Sequence, residues 1–174
     1  MPSFLYSTKA AATTIHELPS SLDVRSILDV LHNETLLPQI LWPSSVMSRR
    51  QHTLSGLEGV LTENNLSVAL LKLADGVTCV EKIGGFTMTV AYSILDSEAC
   101  GEETGPSHCL QLREERSVRA LRPIASFAKF KAESPAKTQN LLRFFQEYCD
   151  NAADAMAALE SIGVGSKVGK YKAE

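Results

Sequence analysis

The sequence predicts an α+β fold: a curved antiparallel sheet of about seven strands wrapped around one long carboxy-terminal helix, with two short helices after the first strand. Three observations carry this. From Ser44 to about Lys131 the chain reads as successive β-rich runs, punctuated by the turn pairs Asn64-Asn65, Asp75-Gly76 and Gly84-Gly85. The segment "SPAKTQNLLRFFQEYCDNAADAMAALESIG" sets Leu141, Leu142, Phe145, Tyr148, Cys149, Ala152, Met156 and Leu159 on one helical stripe. Two short helical patterns separate the opening strand from the hairpins. A strongly bent sheet and a straight helix cannot touch along their whole lengths, so this layout leaves a ligand cavity between them.

The elements follow in order. Phe4 to Glu17, rich in Thr, Ile, Phe and Tyr, reads as an extended strand ended by Pro19. "SSLDVRSILDVLHN" has a serine N-cap, an early aspartate, and Leu22, Val24, Ile27, Leu28 and Leu31 at helical spacing. "ETLLPQILWP" is a short second helix, interrupted or bent at Pro38 and closed by Trp42-Pro43. "VMSRRQHTL" and "LEGVLTEN" read as strands, and "LSVALLKLADGVTCVEKIGGF" as two strands joined at Asp75-Gly76. "FTMTVAYSILD" alternates, with Phe86, Met88, Val90, Tyr92 and Ile94 on one face. "SEACGEETGPSH" is an acidic Gly/Pro loop, and the strand after it runs to Arg122 or, past a break at Pro123, to Lys131. The last helix has Ser134 as N-cap, Pro135 at its first position and Gly163 as its stop, roughly seven turns at 3.6 residues each.

Composition narrows the function classes. A chain of 174 residues, 44% hydrophobic and 21% charged, fits one domain, residues 1–164, with a flexible basic tail over 165–174. Its net charge of −3 offers no basic face for phosphates, so no nucleic-acid partner is expected. Four widely spaced cysteines form no C-x-x-C pair and no zinc-finger spacing, although His108 adjoins Cys109; no metal site is expected and the thiols read as reduced. The amino terminus lacks the apolar core of a signal peptide, and no run is long enough to span a membrane. A cytoplasmic protein with no membrane partner is the expectation.

The stretch "CLQLREERSVRA" (Cys109–Ala120) raises the main chemical question. Leu110, Leu112 and Val118 share one face of the strand, and Glu114 and Arg116 fall on that same face. Two charges on an apolar face either cost stability or perform a task. They stand about 7 Å apart along the strand, within mutual reach.

The order strand, two short helices, about six strands and one long helix resembles the helix-grip, START-like (SRPBCC) superfamily, which includes polyketide cyclases and lipid carriers. The resemblance covers about Phe4 to Leu159. "YSTKAAATTIHELPSSLDVRSILDVLHN" followed by "LQLREERSVRA" is similar to a small fungal branch of that superfamily, near the cyclases that close an α-pyrone on a linear polyketide. The resemblance implies an internal apolar cavity, a polyketide-like small molecule as ligand, and a place in secondary-metabolite biosynthesis. Fold alone selects neither enzyme nor carrier.

Against that background Glu114 and Arg116 admit two readings. One is an ion pair at the cavity mouth, or a bulge that swings both into water. The other is a carboxylate base beside a guanidinium in an apolar cavity, where burial raises a carboxylate's pKa and the cation lowers it. The second suits lactonisation: Glu114 would take the enol proton and Arg116 would hold the oxyanion forming at the acyl thioester carbonyl. Such a cyclase requires no cofactor. Around this pair Tyr92, Glu81, Met88, Leu112 and Phe145 are the candidate substrate-binding residues. For Tyr92 the competing reading is a core tyrosine with its oxygen at the rim; for Glu81 it is a solvated rim position.

His32, at the end of the first helix, is accounted for by the helix dipole. Arg49, Arg50 and His52 form a small basic cluster that could meet the carrier domain of a polyketide synthase or could simply be solvated. There is no G-x-S-x-G, and "IGGF" is a turn rather than a phosphate loop. The rival to a cyclase is a non-catalytic carrier of a hydrophobic small molecule or lipid. A third arrangement is a homodimer through the small residues of Ala152–Ala158.

Overall fold

The computed structural model describes residues 5–97, 109–127, 129–130 and 135–163. Ser134, the acidic loop and the carboxy-terminal tail named above lie outside these residues. The expected α+β architecture is present, with an antiparallel sheet of eight strands and five helices among the described residues.

The opening segment is two strands, β1 (Tyr6–Ala10) and β2 (Thr14–Glu17), and both pair with the same edge of the last strand. Ala10 faces Ser117 and Thr14 faces Glu114, so three residues, Ala11–Thr13, oppose only two. This one-residue bulge reverses which side chains face inward along the edge. Then come α1 (Val24–Leu31) and α2 (Leu36–Leu41). The N-cap of α1 is Asp23, not a serine: its carboxylate accepts from the Ser26 backbone N–H at 2.7 Å. Pro38 does not interrupt α2. It lies in the first turn, where no intrahelical N–H bond is required, and its carbonyl accepts from the Trp42 N–H at 2.9 Å.

The meander follows as β3 (Met47–Thr53), β4 (Gly56–Leu61), β5 (Leu66–Leu73), β6 (Gly76–Ile83), β7 (Phe86–Ser97) and β8 (Cys109–Leu121). Spatial order is β1-β8-β7-β6-β5-β4-β3, with β2 beside β1's edge position on β8. The Gly84-Gly85 turn falls where expected, both glycines having positive φ, whereas the β5–β6 turn is Ala74-Asp75, one residue earlier than expected, with Gly76 already in β6 opposite Leu73. Gly76 is also required for contact: a Cβ there would stand 1.9 Å from the Tyr92 carbonyl oxygen on β7.

Of the two ends expected for the last strand the earlier one holds, within a residue: β8 stops at Leu121, and Arg122–Phe127 form a short helix, α3, because Pro123 is tolerated in a first turn while it breaks a ladder. The long helix is broken. It runs as α4 (Ala136–Asp150), stops at Asn151, and restarts as α5 (Ala155–Ser161) with Asp154 as N-cap, accepting from the Met156 and Ala157 N–H groups. Ala152 and Ala153 between them have φ of +53° and +65°.

Alternation along β4–β8 directs Leu57, Leu70, Val77, Cys79, Val90, Tyr92, Ile94, Leu110 and Leu112 to one face, which α1, α2, α4 and α5 cover. Ile27, Leu31, Leu37, Ile40, Leu141, Phe144 and Phe145 fill the space between helices and sheet. Burial there pushes the Cys79 thiol up to about 12. Met47, Leu57, Leu61, Leu66 and Val68 form a second, smaller cluster at the β3–β5 end, with Trp42 packed against both.

Candidate functional site

Glu114 and Arg116 do project to the covered face of β8, as their place in the alternation requires. Glu114 sits between Tyr92 of β7 and Thr14 of β2, and no part of it reaches solvent. Its Oε1 lies 3.2 Å from Nε of Arg116, and its Oε2 lies 2.9 Å from Nε2 of His16. A buried carboxylate is tolerated because a guanidinium and an imidazole stand on its two oxygens. Neither charge swings into water. His16 was not among the residues singled out from the sequence. Simple alternation from Tyr6 would place it on the outer face, and only the bulge at Ala11–Thr13 turns it toward Glu114.

A second buried cluster forms one strand pair away. Glu81, on the covered face of β6, is buried, so the solvated-rim reading does not hold. Its Oε1 accepts from Trp42 Nε1 at 2.9 Å and from Lys137 Nζ at 2.8 Å. The cluster therefore ties the end of α2, the sheet and the first turn of α4 together. Trp42 can serve it because α2 ends there, and Lys137 because it occupies the second position of α4.

Between the two clusters lies a cavity of about 530 Å³. Its apolar walls are Met88 and Val90 of β7, Val118 of β8, Phe130 and Pro135, and its polar walls include Glu81, Arg116, Lys129 and Lys137. The volume falls within the range of small-molecule sites, about 300–1,000 Å³. The start of α4 forms one side, and its N-cap residue Pro135 makes no side-chain hydrogen bond there.

The residues named from the sequence are distributed unevenly around this space. Glu81, Met88 and Arg116 line it. Glu114 stands behind Arg116 without reaching the cavity. Tyr92, Leu112 and Phe145 are wholly buried in the main core and do not line it. The Tyr92 hydroxyl shares a 2.8 Å hydrogen bond with Thr138 Oγ1 on α4, inside the core and not at the rim, and burial pushes its phenol well above the usual tyrosine range. Val90, Lys129, Phe130, Pro135 and Lys137 were not foreseen. Their positions depend on how α4 docks, which periodicity does not report.

His32 is the C-cap residue of α1, and its Nε2 lies 2.9 Å from the Gly76 carbonyl and 3.0 Å from that of Leu73, so it also fastens α1 to the β5–β6 turn. Arg49, Arg50 and His52 lie on β3, away from the cavity: Arg50 Nε donates to the Met47 carbonyl, and His52 pairs with Glu34, which also takes Lys72. Among the described residues no group of three metal-ligating side chains occurs, and no helix is long and apolar enough to cross a membrane.

No family model matches the chain, and no curated protein matches it. Among solved structures the crystal structure of human STARD10 is similar at 14% identity and a TM-score of 0.26, over 91% of this chain and 69% of that one. The class the structure itself defines is an α+β domain with one helix-covered sheet face and a cavity set into that face.

Proposed function

We propose that the protein is a binding domain of helix-grip type that holds an apolar small molecule between β6–β8 and the first turn of α4. The observation that carries the reading is the cavity of about 530 Å³ walled by Met88, Val90, Val118, Phe130 and Pro135. Filling it should abolish uptake. Met88→Trp, a partly buried position on the wall, should remove binding of the neutral dye Nile red while leaving the far-UV circular dichroism unchanged. Dye binding undiminished in that variant would place the ligand elsewhere.

One observation favours a catalytic extension, the closing of an α-pyrone on a linear polyketide. Arg116 brings a guanidinium to an otherwise apolar wall, where a forming oxyanion would be stabilised. In that reaction the enol oxygen bonds to the thioester carbonyl, the C–S bond breaks, and the enol proton passes through a carboxylate to the departing thiolate. Glu114 has no surface on the cavity, so it serves by holding Arg116. The carboxylate within reach of a ligand is Glu81. Product analysis of a partner polyketide synthase should then show a pyrone that depends on this protein and is lost in Glu81→Gln. Unchanged products on adding the wild-type chain would leave the non-catalytic carrier.

A further inference from the structure

The charges on the cavity are not evenly mixed. Among the described residues, Arg116, Lys129 and Lys137 line it against one carboxylate, Glu81, which Lys137 already engages. The start of α4, whose N-cap residue Pro135 makes no side-chain hydrogen bond, adds a partial positive charge along the same wall. Arg116 and Lys137 are both largely buried, with side chains 11% and 13% exposed, so their fields are poorly screened by water. Each is anchored from behind, Arg116 by Glu114 and Lys137 by Glu81, which fixes its position before a ligand arrives. Beside Arg116 on the same face of β7 and β8, Met88, Val90 and Val118 present only hydrocarbon and a thioether.

We infer that the cavity takes an amphipathic anion: a molecule with one carboxylate or enolate group held by Arg116 and Lys137, and an apolar body laid against Met88, Val90 and Val118. The inference rests on the binding reading above and narrows it to a ligand class. A neutral apolar ligand would leave the cations facing hydrocarbon, whereas an anion replaces lost water with charge-assisted hydrogen bonds.

The test uses Nile red displacement at neutral pH and low salt, with dodecanoic acid, methyl dodecanoate and dodecan-1-ol as competitors. The acid is expected to displace the dye at least about tenfold more tightly than the ester, one charge-assisted contact being about 1.5–3 kcal/mol and each 1.4 kcal/mol a factor of ten. Lys137→Met and Arg116→Met should each reduce that preference without abolishing dye uptake. Because Arg116→Met strands Glu114 and could unfold the chain, the exposed Lys129→Glu serves as a second variant, and it should weaken the acid several-fold more than the ester. Dye binding with equal displacement by acid and ester would overturn the anionic class alone. Absence of dye binding to the folded wild-type chain would overturn the cavity reading itself.

Discussion

At the scale of single residues, the Glu114–Arg116 pair is where stability and function draw on the same atoms. Both charges are buried, so removing one partner strands the other. Arg116→Leu should cost about 3–5 kcal/mol in denaturant unfolding, and the double variant Glu114→Leu/Arg116→Leu markedly less, since no orphaned charge remains. Additive losses across that cycle would contradict the pairing. That these two residues share the apolar face was legible from the alternation of "CLQLREERSVRA", because a strand's period of two leaves no freedom once Leu110 and Leu112 are inside. His16 was not legible. Its direction depends on one extra residue at Ala11–Thr13, and small residues there give no bulge signature such as a glycine would. Tyr92 shows the converse: its face was correct, but a core position and a cavity position lie on the same face, and only the docking of Thr138 distinguishes them.

At the scale of elements, the break between α4 and α5 is the largest departure from pattern. The apolar stripe runs through Asn151–Asp154 without interruption, and alanine is the best helix former, so periodicity predicts one helix. What ends it is local competition: Asp154 caps a new helix with its own carboxylate while Asn151 Nδ2 donates back to the Glu147 carbonyl. Two alanines then adopt the left-handed region, at about 1–2 kcal/mol each. Ala153→Gly should therefore stabilise the protein, by up to about 1 kcal/mol after the glycine's greater unfolded-state freedom is counted, read as a higher midpoint of thermal unfolding. A lower midpoint would mean the break is not strained. The start of α1 makes a pH prediction. Hydrogen bonds from Ser26 hold the Asp23 carboxyl below its ordinary 3.8. A depressed pKa gives stability that is present above the unfolded value and is lost as pH falls through the folded one. The difference in melting temperature between wild type and Asp23→Ala should be full at neutral pH and shrink as pH falls below 3.8. A difference independent of pH would exclude the carboxylate cap.

At the scale of the whole molecule, hairpins explain why so much of the architecture could be read in advance. Turn pairs such as Gly84-Gly85 join neighbours in sequence that are neighbours in space, and a meander needs no further information. The closing edge is different, because β1 and β2 pair with β8 from much later in the chain, with His16 and Glu114 98 positions apart. Removing residues 1–17 should leave β8 as an open edge beside apolar Leu112 and Leu110, and the shortened chain should form oligomers on size-exclusion chromatography where the full chain does not. A shortened chain with the full chain's elution behaviour would show the edge to be dispensable. The same pairing orders events during synthesis. The opening strands are made well before their template on β8, so they must wait without a partner while the meander assembles. Any pause in translation between β7 and β8 prolongs the time when β7 is an unclosed border and Glu114 has not yet met His16. The most vulnerable moment of this protein's life is therefore set by chain connectivity, late in its own production, and not by the finished structure.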